Sequence, residues 1–87
     1  MNQYFIGNYI QKLSIQHIKD FANYHHVSLS DVECEIILTT IKQNWKELLY
    51  GDYLSVFQKI RNQVTPESYE IALQLYHDYK RKYQSFL

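Results

Sequence analysis

The chain has 87 residues, enough for one domain with a thin margin of stability, because a chain of this size buries only about 60 to 65% of its unfolded surface. Nine Lys and Arg residues balance nine Asp and Glu residues, so no net charge draws the protein to nucleic acid or to a membrane surface. The single cysteine, Cys34, excludes an intramolecular disulfide and is typical of a reducing compartment. We therefore predict a single domain over residues 1–87.

The N-terminal segment lacks the basic start and the sustained apolar core of a signal peptide. No apolar run along the chain approaches the roughly 20 residues that a transmembrane helix needs. Together with the lone cysteine, these features predict a cytoplasmic protein without a membrane as partner.

Residues that break helices are rare, and they are limited to Gly7, Gly51 and Pro66. No alternating run of β-branched residues is bounded by turn residues, so the pattern does not favour strands. We predict an all-α fold, a compact single domain of four to five short helices.

The first helix is predicted over about residues 2–12, weakened at Gly7 by about 1 kcal/mol relative to Ala. Ser14 can cap a second helix that ends near His25 and His26, where imidazoles suit the negative end of the helix. The residues predicted to face the core are Phe5, Ile6, Tyr9, Ile10 and Leu13 in the first helix and Ile15, Ile18, Phe21 and Ala22 in the second.

The start of the third helix can be placed in two ways. Ser28 and Asp31 have the spacing of a capping box, and Ser30 and Glu33 have the same spacing two residues later. In either case the helix is predicted to end at about residues 42–44. Its inward positions are predicted to be Leu29, Val32, Ile36, Ile37, Thr40 and Ile41.

Residues 45–50 contain three consecutive apolar residues without helical spacing, so we predict a short buried connector there. Trp45, the only tryptophan, lies in this segment and has the chemistry of a binding anchor. Packing against the core is favoured instead, because small domains rarely leave a lone large aromatic unused. Asp52 then caps a fourth helix with the inward residues Val56, Phe57, Ile60 and Val64.

The last helix has the clearest start, at Thr65-Pro66-Glu67. The threonine hydroxyl can cap the helix, the proline lacks only an N–H that has no helical partner there, and the carboxylate suits the positive first turn. The helix is predicted to run from Pro66 to about Gln84.

Several helix boundaries occur in a recognisable order. The matching segments are Leu13-Ser14-Ile15, Phe21-Ala22-Asn23-Tyr24, Val27-Ser28-Leu29-Ser30 and Val64-Thr65-Pro66-Glu67-Ser68. Over about residues 13–86 this order resembles a small family of uncharacterised proteins from low-GC Gram-positive bacteria, known as domain of unknown function 2624. The resemblance implies a compact all-helical fold and implies no activity.

Residues 18–36 loosely resemble a helix-turn-helix motif, the basis of an alternative function as a small nucleic-acid-binding regulator. His26 stands where such turns usually have Gly. The second helix would place Asp31, Glu33 and Glu35 against the DNA phosphates. Because counterion release by basic residues supplies most non-specific affinity, this charge pattern disfavours nucleic acid as a partner.

No metal, cofactor or catalytic site is predicted. The candidate ligands show neither Cys-x-x-Cys nor His-Glu-x-x-His spacing. Cys34 is flanked by glutamates, whose charge raises the pKa of a thiol, and two glycines cannot build a phosphate-binding loop. The residues disfavoured as metal ligands are His17, His25, His26, Cys34 and His77.

Four tyrosines of the last helix, Tyr69, Tyr76, Tyr79 and Tyr83, recur on one side of it. With their apolar neighbours they cover an arc of ~200°, twice the width that one core contact needs. The helix is therefore either wedged between other helices or keeps part of this face for a partner. We predict the second arrangement, because wedging is hard to sustain along a helix in so short a chain.

This face gives the predicted function, a non-enzymatic protein-interaction module or small adaptor that binds another protein or a second copy of itself. Tyrosine suits such a surface, since it combines a large apolar body with a polar tip. Tyr79 is expected to lie in the core. The residues expected to bind the partner are Tyr69, Leu73, Tyr76 and Tyr83.

Overall fold

The computed structural model describes residues 2–83, and it describes side chains for residues 6–82. The described part of the chain contains five helices and no strand, which confirms the all-α prediction. The helices are α1 (Asn2–Gln11), α2 (Ile15–Tyr24), α3 (Asp31–Tyr50), α4 (Tyr53–Gln58) and α5 (Pro66–Tyr83). The Cα radius of gyration is 12.3 Å, close to the roughly 12 Å expected for a compact chain of this length.

Side-chain caps begin the helices where the sequence predicts them. Ser14 caps α2, and its backbone N–H donates to His17 Nδ1 at 3.0 Å. Asp52 caps α4 by accepting from the Ser55 backbone, and the Thr65 hydroxyl accepts from the Ser68 N–H at 3.2 Å. Each cap satisfies an N–H group that has no partner within its helix.

The two possible starts of α3 are resolved in favour of Ser30. The Ser30 hydroxyl accepts from the Glu33 N–H at 3.2 Å, and the Glu33 carboxylate accepts from the Ser30 N–H at 3.4 Å. The alternative with Ser28 as the cap is wrong. Within α3, Cys34 and Ile37 face the core and are both fully buried.

Because the Cys34 side of α3 packs against the core, Val32 lies on the outside of the protein. Val32 precedes Cys34 by two residues, which is about 200° around a helix. Its side chain is 69% exposed, so the prediction that it faces inward is wrong. An exposed valine now lies in the first turn of α3.

The predicted connector over residues 45–50 is also wrong, because α3 continues as a helix to Tyr50. The helix is kinked at Asn44, whose backbone angles are φ −126° and ψ 20°. At the kink the Asn44 side-chain amide donates to the Thr40 carbonyl at 2.9 Å, a contact of the kind that accompanies helix kinks. Leu48 follows Ile41 by seven residues, about two helical turns, so it continues the buried stripe of α3 beyond the kink.

Trp45 is packed against the core, as predicted. Its indole covers Gly7 of α1 so closely that a Cβ on this glycine would lie 2.7 Å from Trp45 Cζ2. Lys42 donates to the Gln11 carbonyl at 2.9 Å and thus also ties the end of α1 to α3. The helix-weakening glycine is therefore explained by a close approach of the two helices.

The core is centred on α3, which packs against each of the other four helices. Its members come from every helix and from the segments before α2, α3 and α5. The buried hydrophobic residues are Ile6, Ile10, Leu13, Ile18, Ala22, Leu29, Cys34, Ile37, Ile41, Leu48, Val56, Phe57, Ile60, Ile71, Ala72, Leu75 and Tyr76.

The end of α2 adopts a left-handed turn at His26, whose φ is 63°. The Val27 N–H donates to the Ala22 carbonyl and the His26 N–H to the Asn23 carbonyl, both at 2.9 Å. This pair of bonds forms a Schellman motif, in which the left-handed residue is usually glycine.

Replacing His26 by Gly is expected to stabilise the protein by about 0.5 to 1 kcal/mol, because glycine adopts positive φ without a Cβ clash. Urea unfolding followed by circular dichroism measures the difference. The control is His25→Gly, since His25 has φ −95° and gains nothing from glycine. Destabilisation by His26→Gly would show that the imidazole contributes more than the backbone strain costs.

Candidate interaction surface

The tyrosine face of α5 is mostly used inside the protein. Tyr76 is only 5% exposed, and its hydroxyl donates to the Leu48 carbonyl at 2.7 Å. Its ring stacks on Tyr53, with centroids 4.6 Å apart, and meets Phe57 edge-on at 5.6 Å. The expectation that Tyr76 lies on an exposed face is therefore wrong.

The other residues expected to bind a partner have intermediate positions. Tyr69 is partly buried, lies edge-on to Phe57 at 6.4 Å and has the Arg61 guanidinium 5.9 Å from its ring centre. Leu73 is likewise partly buried against the core. The side chain of Tyr83 lies outside the described residues. Partner binding by Tyr69, Leu73 and Tyr83 stays a prediction.

The wide apolar arc of α5 is explained by contacts on several sides. The helix packs against α2 and α3, and α4 supplies the rings of Tyr53 and Phe57. Tyr79 is half-buried beside Tyr9 of α1, with ring centroids 6.5 Å apart, and burial raises its pKa. The exposed side of α5 is polar and consists of Glu67, Glu70, Gln74, His77, Asp78, Arg81 and Lys82.

A groove runs along the outer face of α3, opposite the segment that contains α4 and the turn after it. Its volume is about 440 Å³. The α3 wall consists of Glu35, Ile36, Thr39, Thr40, Gln43 and Asn44, and the opposite wall of Val56, Lys59, Ile60 and Gln63. A second, shallower hollow of about 250 Å³ continues it toward the start of α3 and is lined by Asp31, Val32, Glu35 and Ile36. We call these two hollows together the α3 groove.

The apolar part of the α3 groove has two levels. Val56 and Ile60 belong to the core and are 2% and 4% exposed, so they lie at the base of the groove. Ile36 is partly buried, whereas Val32 is 69% exposed. The groove therefore combines an apolar base with an apolar side chain that stands free at one end.

The charges of the α3 groove are few and nearly balanced. Asp31 forms a salt bridge with Lys19. Glu35 and Lys59 lie on opposite walls, and neither side chain forms an ion pair with another described residue. One carboxylate and one ammonium group thus remain for contacts beyond the described chain.

Glu33 is held by the protein itself. Its Oε2 accepts from the Thr65 N–H at 2.9 Å and from the Ser68 hydroxyl at 2.7 Å, while Oε1 accepts from the cap residue Ser30. The bond from the Thr65 backbone, helped by Ser68 and Ser30, lowers the pKa of Glu33 to about 2. One carboxylate therefore serves the N-termini of both α3 and α5, where negative charge is favoured by the helix dipole.

The nucleophile and metal candidates are accounted for by structure. Cys34 is fully buried, and desolvation raises the pKa of its thiol, the opposite of what a reactive thiolate needs. The His17 ring bonds the cap residue Ser14. Among the described residues, no group of three or more His, Cys, Asp or Glu side chains is placed to hold a metal ion.

The helix-turn-helix alternative depends on α2, α3 and the turn between them. His26 adopts the positive φ that glycine usually supplies in such a turn. The exposed first turns of α3 nevertheless carry Asp31 and Glu35. A phosphate backbone placed there would meet negative charge and one neutralised lysine, Lys19, rather than free cations.

Sequence reasoning missed the α3 groove because it placed Val32 in the core. The signal that identifies it was present, since Cys34, Ile37, Ile41 and Leu48 recur with helical spacing and Val32 lies about 200° from Cys34 around the helix. The wall formed by Lys59 and Gln63 had no such signal. It depends on how the turn after α4 lies against α3.

No helix among the described residues is both long and apolar enough to cross a membrane. Comparison of the chain with protein-family models, with curated proteins and with solved structures finds no match.

Proposed function

We propose that this chain is a non-enzymatic, cytoplasmic protein-interaction module and that it binds its protein partner through the α3 groove. The observation that carries the proposal is the exposure of Val32, 69%, at the end of a groove with the apolar residues Ile36, Val56 and Ile60 in it. A partner that fills the groove would also cover Val32, and removing this apolar side chain from water is favourable. Membership in the family known as domain of unknown function 2624 stays part of the proposal and adds no activity to it.

The composition of the groove fits a protein partner. An interface commonly has an apolar centre surrounded by polar groups that form hydrogen bonds. Here the apolar residues are bordered by the hydroxyl of Thr39 and the amides of Gln43 and Gln63. Burying an exposed valine side chain contributes about 1.5 kcal/mol to binding. A useful affinity therefore requires contact along the whole groove.

The α3 groove is a better candidate than the tyrosine face of α5. A partner on that face would have to contact Tyr76, which is 5% exposed and hydrogen-bonded internally. Tyr69 and Leu73 already contribute part of their surface to the core. In the α3 groove, Val32 is 69% exposed and the polar side chains of Glu35, Thr39, Gln43 and Lys59 are exposed, so a partner can contact them without rearrangement.

Site-specific photo-crosslinking in the cells that make the protein tests this proposal. A photoreactive amino acid replaces Thr39 in the groove, and the matched control replaces Gln74 on the exposed polar side of α5. Protein adducts at position 39 that are absent at position 74 are expected. They should also disappear when Val32→Asp is added, a change that an exposed position tolerates within about 0.5 kcal/mol.

Absence of protein adducts at position 39, or equal adducts at both positions, would contradict the proposal. Adducts to nucleic acid at position 39 would instead support the alternative function as a nucleic-acid-binding regulator. Such nucleic-acid binding should weaken as the salt concentration rises, because contacts to phosphates release counterions.

A further inference from the structure

We infer that the occupant of the α3 groove is the same groove of a second copy of this chain, in a twofold symmetric homodimer. This inference rests on the proposed function, because it names the partner of the same surface. In a twofold dimer each surface must be complementary to itself, and each contact between two different residues occurs twice.

The unpaired charges of the groove satisfy this requirement. Glu35 lies on the α3 wall and Lys59 on the opposite wall. In the inferred dimer Glu35 of one copy contacts Lys59 of the other, and the twofold symmetry makes this contact occur twice. Two copies thus supply the partners that these side chains lack within the described chain.

The apolar surface of the groove is also complementary to itself. Val32 projects into solvent at one end, whereas Val56 and Ile60 form the base of the hollow. The projecting valine of each copy can enter the hollow of the other. A projection and a matching hollow on one surface favour a closed dimer, because both are used when two copies meet.

The charge balance argues against a strongly basic or acidic partner. Asp31 is neutralised by Lys19, and Glu33 is occupied by Thr65 and Ser68. The groove therefore has no excess of either sign to attract an oppositely charged protein. The chain as a whole has nine cationic and nine anionic residues, so two copies approach without net repulsion.

Sedimentation velocity of the purified chain over a concentration series tests the inference. The variants are Glu35→Lys, Lys59→Glu and the double exchange. Each single exchange places like charges together twice in the dimer and is expected to weaken dimerisation about tenfold, whereas the double exchange restores it to within about threefold. The control exchange, Glu70→Lys on the exposed side of α5, should leave dimerisation unchanged.

A chain that stays monomeric up to about 1 mM would overturn the inference. So would single exchanges whose effects simply add in the double variant. The proposed function is judged separately by the crosslinks at position 39. A monomer that crosslinks there to a different protein refutes the homodimer and leaves the interaction function supported, whereas the absence of all protein crosslinks refutes both.

Discussion

Replacing Tyr76 by Ala is expected to destabilise the protein by about 3 to 5 kcal/mol, the cost of removing a large aromatic side chain from a core. The ring is 5% exposed and contacts Tyr53 and Phe57, so its removal leaves a cavity in the core. A chain of this size has a total stability of roughly 5 to 10 kcal/mol. The variant should therefore lose most of its stability, as chemical denaturation will measure.

Two variants separate the contributions of Tyr76. Tyr76→Phe removes only the hydroxyl that donates to the Leu48 carbonyl and should cost about 1 kcal/mol. Tyr24→Ala is the matched control for an exposed tyrosine, since Tyr24 is 80% exposed and should change stability by less than about 0.5 kcal/mol. If Tyr76→Ala were as mild as Tyr24→Ala, the ring would lie on the surface and the described core would be wrong.

Replacing Glu33 by Ala is expected to destabilise the protein by about 2 to 3 kcal/mol at neutral pH. The change removes the acceptor for the Thr65 N–H and for the hydroxyl of Ser68, which is 1% exposed. A buried donor that loses its acceptor costs more than the hydrogen bond contributed. Glu35→Ala is the control on the same helix and should change stability by less than about 0.5 kcal/mol, because Glu35 is exposed.

The contribution of the Glu33 charge should depend on pH. Its pKa in the folded protein is about 2, below the ordinary value of 4.5. A carboxyl group with a lowered folded pKa stabilises the protein above its unfolded pKa and loses that effect as the pH falls toward its folded pKa. The stabilisation from ionised Glu33, about 2 kcal/mol after allowance for solvent screening, should therefore disappear between about pH 4.5 and pH 2.

The measurement is the difference in unfolding free energy between the wild-type chain and Glu33→Gln from pH 6 to pH 2.5. Glutamine keeps the size of the side chain but cannot ionise, so the difference should be largest near pH 6 and shrink through this interval. A difference that stays constant with pH would contradict the assignment of a lowered pKa to Glu33.

The helix starts could be predicted from the sequence because they depend on neighbouring residues. Ser14, Asp52 and Thr65 each cap the helix that follows, as their spacing and chemistry indicate. The start of α5 at Thr65-Pro66-Glu67 could be predicted for the same reason. The all-helical fold follows from these local signals together with the scarcity of residues that break helices.

The parts that could not be predicted depend on contacts between distant residues. The tyrosine arc of α5 was too wide for one contact, but its spacing could not reveal that α4 places Tyr53 and Phe57 against it. The three consecutive apolar residues Leu48, Leu49 and Tyr50 made the second half of α3 resemble a connector, although only Leu48 of the three is buried in the core. The wall of the groove at Lys59 likewise appears only when the turn after α4 is placed beside α3.

The central claim is that the interaction surface is the α3 groove rather than the tyrosine face of α5, and that a second copy of the chain occupies this groove. The most direct measurement is the ¹H–¹⁵N correlation spectrum of the purified chain recorded at increasing concentration. We predict concentration-dependent shifts limited to residues 31–43 and 56–63, which contain both walls of the groove. Shifts centred on residues 69–82, or no shifts at any concentration, would contradict the claim.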